Sequence, residues 1–190
     1  MLSTLNRTEE AISEEKKSME IDPFSWPWAV GMQLIRARQF DAAISELFAR
    51  RQAQPGNASV REVLSLAFWF AGRDQEAATE REEMYRLGGD KEDADAVRSA
   101  FQRGAFRAVL EFEMSSLKKA AAMGYVSPFH LSNLAARLHR KNEALHYLEL
   151  AYQEHSTKMV RVPDDPVYDF LRPEPRFQAI LRKMGLPLSR

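Results

Sequence analysis

Helix breakers set the architecture open to this chain. Pro23, Pro55, Gly72, Gly88, Gly89, Gly104, Gly124 and Pro128 punctuate it, over much of its length roughly every 16–20 residues. The stretches between them are rich in Ala, Glu, Leu and Arg. Their apolar residues recur at a helical period, and strand-like alternation is nearly absent. The spacing predicts helices at 6–20, 26–37, 40–53, 58–70, 74–87, 91–102, 105–123, 127–138, 142–155, 166–171 and 174–184. Helices this short, joined by short turns, form αα-hairpins that cannot bury their apolar faces alone, so they stack. The expected fold class is all-α.

Several helix ends carry a mechanism. Asn6 with Glu9, and Ser59 with Glu62, have capping-box spacing. Ser127 before Pro128, and Asp165 before Pro166, place a capping side chain ahead of a first-turn proline. Gly124 and Gly185 stand where a left-handed C-terminal cap is expected, and Gly88-Gly89-Asp90 reads as a cap and turn.

The chain also repeats itself. Sliding 24–57 onto 58–91, a shift of 34, puts Ala43 on Ala77, Leu34 on Phe68, Gly31 on Ser65, Arg38 on Gly72 and Pro55 on Gly89. A third unit fits 125–158, with Ser132 at the small position, Ala144 at the early alanine, and Leu148 and Ala151 following. Small residues are wanted where two helices cross closely; the large residue fills the gap above them. This pattern resembles the tetratricopeptide repeat (TPR). The resemblance implies one TPR-like domain over 1–190, a right-handed α-solenoid of about 9–11 helices. Its parts are a leading half-repeat (6–23), repeats at 24–57 and 58–91, an atypical hairpin at 92–124 turning at Gly104, a repeat at 125–158 and a C-terminal cap at 159–190. The closing stretch 165–186 resembles the end of TPR regions in bacterial multidomain regulators. No kinase, cyclase or winged-helix effector residues accompany it.

In TPR stacks the first helix of each hairpin lines a concave face. The resemblance therefore implies a groove lined by Trp28, Met32, Ile35 and Arg36, then Glu62, Leu66, Trp69 and Phe70, then Phe129, Asn133 and Arg137. The list is largely apolar. Where some TPR domains hold a carboxylate with Lys and Asn, this chain has Trp28, Met32, Glu62 and Leu66. An amphipathic helix or extended apolar peptide suits such a surface. The alternative is a groove filled from within, by the helix at 105–123 or by the N-terminal helix.

Composition narrows the chemistry. Charges balance, 27 Lys and Arg against 27 Asp and Glu, which argues against broad nucleic-acid or acidic-membrane binding. With no cysteine, a disulfide framework and thiolate metal sites are excluded. No apolar run reaches membrane-spanning length, and 1–20 has no apolar signal core, so a cytoplasmic protein is expected. His130, His139, His146 and His155 lack metal-ligand spacing, and the acidic pairs Glu9-Glu10, Glu14-Glu15, Glu82-Glu83 and Asp93/Asp95 lie beside Lys and Arg as solvated helix charges. Arg50, Arg51, Arg137 and Arg140 could form a local anionic-ligand patch, against the plainer reading as surface arginines. Phosphate loops and a nucleophile elbow are missing. The expectation is a non-enzymatic interaction module with no cofactor and no metal. It holds a protein or peptide partner, or a second copy of itself; the alternative is a small-molecule-sensing domain associated with a bacterial regulator.

Overall fold

The computed structural model describes residues 8–22 and 25–185. Asn6, Pro23 and the pairing of Asn6 with Glu9 lie outside them. Among the described residues the chain is helical and has no strand. The helices are α1 (Thr8–Ile21), α2 (Ala29–Arg36), α3 (Phe40–Ala53), α4 (Ala58–Phe70), α5 (Asp74–Leu87), α6 (Lys91–Met123), α7 (Pro128–Arg137), α8 (Lys141–Gln153) and α9 (Pro175–Lys183). Two 3-10 turns, Thr157–Arg161 and Pro166–Leu171, stand between α8 and α9. The chain divides into two compact units, a leading one of residues 8–109 and a trailing one of 110–185.

In the leading unit each helix packs on its neighbour in sequence from α1 to α5, and α2 also touches α4. Burial explains the order. α4 buries Val60, Val63, Leu64, Ala67 and Phe68, an i, i+3, i+4 stripe. α2 is buried more widely, whereas α3 buries only Ala43, Ile44 and Leu47. A fully buried Leu or Phe contributes roughly 1.5–3 kcal/mol, so the α4 stripe is a large part of what holds α3, α4 and α5 together. Small residues sit at the crossings. A Cβ on Gly31 would lie 2.4 Å from Leu47 Cγ. Ser65 Oγ donates to the Ala77 carbonyl at 2.8 Å, entirely buried. Glu80, 3% exposed, accepts from Arg51 of α3 and from Arg61 of α4 at 2.8 Å, which pins three helices through one carboxylate.

The trailing unit repeats the device. α7 packs on α8, and Ser132 Oγ donates to the Ala144 carbonyl at 2.9 Å. α9 closes the unit against α8 with Phe177, Ile180 and Leu181 buried and Arg182 and Lys183 outward. Tyr168 is fully buried, its ring centroid 6.2 Å from that of Phe177. Burial first, and then the negative Asp165, push its phenol well above the ordinary 10.0.

The turns share one geometry. Arg38, Gly72, Gly89, His139 and His155 all have φ between 52 and 88°. At each, paired backbone bonds close the helix, as in Gln39 N–H to Leu34 O with Arg38 N–H to Ile35 O, and Arg73 N–H to Phe68 O with Gly72 N–H to Trp69 O. This is the Schellman cap, which normally favours glycine.

Some helix ends differ from expectation. The N-cap of α4 is Asn57, whose side chain accepts from Val60 N–H at 3.1 Å, so the Ser59–Glu62 box does not form. Asp165 caps as expected, accepting from Val167 N–H at 3.0 Å, but it starts a 3-10 turn. Ser127 holds the N-cap position of α7 without a side-chain capping bond. Gly185 is left-handed at φ 66°, and Gly124 is absent from the positive-φ glycines. The expected turn at Gly104 is a break inside α6. Gly104 is extended (φ −165°), and the positive φ falls on Ala105 (φ 54°, ψ −160°). That region is close to glycine-only, and an alanine there costs on the order of 1–3 kcal/mol.

Candidate functional site

α2 and α4 bring together most of the residues expected on the concave face of the leading unit. Trp28 immediately precedes α2, and Met32 and Arg36 follow at one-turn intervals; all three are half-buried. On α4, Leu66, Trp69 and Phe70 are half-buried, and Glu62, a turn earlier, is exposed. Half-burial leaves part of each apolar side chain in water. Ile35 is different: at 1% exposed it belongs to the core and offers no surface.

Aromatic packing gives the face its shape. Phe70 stacks on Phe40, with centroids 5.1 Å apart and planes 4° from parallel. Trp69 leans on Phe70 at 4.6 Å. Trp28 meets Trp26 edge-on at 5.6 Å, and Trp26 is 61% exposed. Such pairs contribute about 0.5–1.5 kcal/mol beyond area burial, so they hold the rings in fixed positions. Sequence reasoning missed Trp26 and Phe40. Trp26 lies between α1 and α2, ahead of the aligned groove positions, and Phe40 lies on α3, so a rule counting only those groove positions passes over both. Charges rim the face: Arg36 Nη1 reaches Gln33 Oε1 at 3.4 Å, and Arg81 Nη1 lies 4.0 Å from Glu62 Oε1.

The three expected residues of α7 lie in the trailing unit and are occupied by its own structure. Phe129 is 7% exposed and Arg137 is 8% exposed, so both are core. Asn133 Nδ2 donates to Asp165 Oδ2 at 3.5 Å. Neither Phe129 nor Arg137 offers the open surface expected of it, because both are buried.

The remaining candidates separate. His139 stands on a left-handed cap with its ring 4.8 Å from that of Phe170, His155 on another cap, and His146 on α8 beside Tyr147. No group of three or more His, Asp or Glu is arranged to hold a metal among the described residues. Arg50 pairs with Glu46 and Arg51 with Glu80, whereas Arg140 pairs with Glu111 and Glu143. The first two lie in the leading unit, and Arg137 and Arg140 in the trailing one. No helix among the described residues is long and apolar enough to cross a membrane.

No protein-family model, curated protein or solved structure matches the chain.

Proposed function

We propose that this chain is a non-catalytic protein-interaction module of TPR type. Its hairpins stack as a right-handed α-solenoid with repeats at 24–57, 58–91 and 125–158, and it holds an apolar peptide or an amphipathic partner helix on the face of α2 and α4. The observation that carries the reading is the set Trp28, Met32, Leu66, Trp69 and Phe70. All are apolar, half-buried and held on, or immediately before, two touching helices. Monomeric proteins bury such residues or spread them singly, and contiguous apolar surface is where partners dock. Rigid aromatic rings suit this work because they lose little entropy on binding, and an indole N–H can donate to a peptide carbonyl. The recurring left-handed caps and the two Ser-to-Ala carbonyl bonds support the repeat reading, because Arg38 aligns with Gly72, and the Ser65–Ala77 bond aligns with Ser132–Ala144.

Selection of displayed peptides on the full chain tests the reading. Peptides selected on the native protein should contain apolar residues at helical spacing and bind Leu66→Glu at least tenfold more weakly, with the helical circular-dichroism signal unchanged. Equal binding to Leu66→Glu and Trp69→Ala variants sinks the groove.

A further inference from the structure

In the trailing unit a lysine amine meets a histidine base. Lys158 Nζ lies 2.5 Å from His130 Nε2, across 28 residues of sequence. Buried neighbours fix both ends of the contact. His130 stands in the first turn of α7, exposed between the buried Phe129 and Leu131, and the Phe129 ring lies 6.4 Å from the imidazole. Lys158 stands half-buried in the Thr157–Arg161 turn, beside the buried Met159, whose N–H donates to the Ser156 carbonyl at 3.0 Å. A lysine ammonium can only donate, so Nε2 carries the ring's lone pair and Nδ1 its proton. Other lysines face carboxylates: Lys17 pairs with Glu14, Lys118 with Glu143 and Lys141 with Glu174. A carboxylate favours the ammonium, which has no lone pair to attack with. An imidazole differs in kind, because near neutral pH it can take a proton from the nitrogen and hand it on.

We propose that Lys158 is an acylation site, with His130 as its general base and an acyl thioester as its co-substrate. The ammonium first passes one proton through Nε2 to water. The amine then attacks the thioester carbonyl carbon while Nε2 takes a second proton from Nζ. A C–N bond forms and the C–S bond breaks. The sulfur leaves as a thiolate and recovers the proton from the imidazolium. The products are an N-acyl lysine and a free thiol, and nothing is oxidised or reduced. The modification removes one positive charge from the contact between α7 and the Thr157–Arg161 turn.

Acetylation of the full chain by S-acetyl-N-acetylcysteamine, an uncharged thioester, tests this. The chain contains no cysteine to compete for the acyl group. Peptide mass spectrometry of timed samples gives a rate for each lysine, and the exposed Lys119 and Lys183 serve as references within the same molecule. Lys158 should acetylate at least tenfold faster than either, although it is the less exposed. His130→Gln keeps a hydrogen-bond acceptor beside Nζ but supplies no base. It should bring Lys158 down to the reference rates or below, with the helical circular-dichroism signal unchanged, and His130→Ala should do the same. Acetylation of Lys158 no faster than that of Lys119 and Lys183 overturns the proposal. So does a lead that His130→Gln leaves intact, because a histidine that only positions the amine can be replaced by glutamine.

Discussion

The hydroxyl of Ser132 donates to the carbonyl oxygen of Ala144 at 2.9 Å, and both residues are fully buried. In the leading unit Ser65 makes the same bond to Ala77 at 2.8 Å. The aligned position on α2 is Gly31, where the Leu47 side chain fills the space a Cβ would take. One contact thus takes two chemical forms: a hydroxyl clasp, or bare backbone under a leucine.

These forms respond differently to alanine. Ser65→Ala and Ser132→Ala lose one hydrogen bond each and should cost about 1 kcal/mol, read by urea denaturation. Gly31→Ala must displace Leu47 and should cost roughly 1–3 kcal/mol. Adding Leu47→Ala to Gly31→Ala should then cost less than it does in the native background. Strict additivity of the two would show that the close approach is not what requires glycine.

The left-handed caps give a second comparison. Arg38 holds at φ 61° the conformation that Gly72 holds at 72°. A side chain there costs roughly 1 kcal/mol relative to glycine. Arg38→Gly should therefore raise stability by about 0.5–1 kcal/mol, and Gly72→Ala should lower it similarly. His139→Gly should gain less, because it also removes the ring contact with Phe170. Thermal melts of the three variants check the ranking.

Much of this geometry was legible in the sequence. The 34-residue shift laid Arg38 on Gly72 although the residues differ in kind, because the cap follows from where α2 and α4 end. The all-helical class, and most helix positions, followed from the spacing of apolar residues and breakers. Where expectation failed, a tertiary contact decided. Ile35, Phe129 and Arg137 fit the register of a groove, but neighbouring elements cover them, and a register within one helix carries no record of what packs across it. Gly104 was readable as a breaker; that the positive φ would fall on Ala105 was not, because glycine is the residue freest to take it.

Glu80 is the most consequential buried charge in the leading unit. It is 3% exposed and takes both Arg51 and Arg61. Removing it takes the shared carboxylate from two partly buried guanidinium groups, so Glu80→Ala should cost roughly 2–3 kcal/mol. Arg51→Ala should cost less, since Arg51 is partly exposed and Arg61 remains on the carboxylate. Denaturant midpoints of the two variants give the order, and equal losses would contradict it.

Tyr168 should make the protein sensitive to alkali. Its folded phenol ionises well above the ordinary 10.0 because burial disfavours the phenolate. The folded state therefore keeps a proton that the unfolded chain releases. This contribution is fully present below pH 10.0 and is lost as the pH rises from there towards the folded value. Tyr168→Phe should flatten the fall in stability above pH 10.0, measured by denaturation at stepped pH. An unchanged alkaline slope would place its cause elsewhere.

The central claim is that the face of α2 and α4 binds an apolar peptide. All three tryptophans, Trp26, Trp28 and Trp69, lie in the leading unit, and Trp28 and Trp69 belong to that face. Their indole N–H signals in a nitrogen-15 correlation spectrum report on it directly. Titration of an amphipathic helical peptide taken from the display selection should shift Trp28 and Trp69 together, with the amides of Met32 and Leu66, along one saturable curve. Binding that moves the amides of α7 and α8 and leaves both indoles in place would contradict the account.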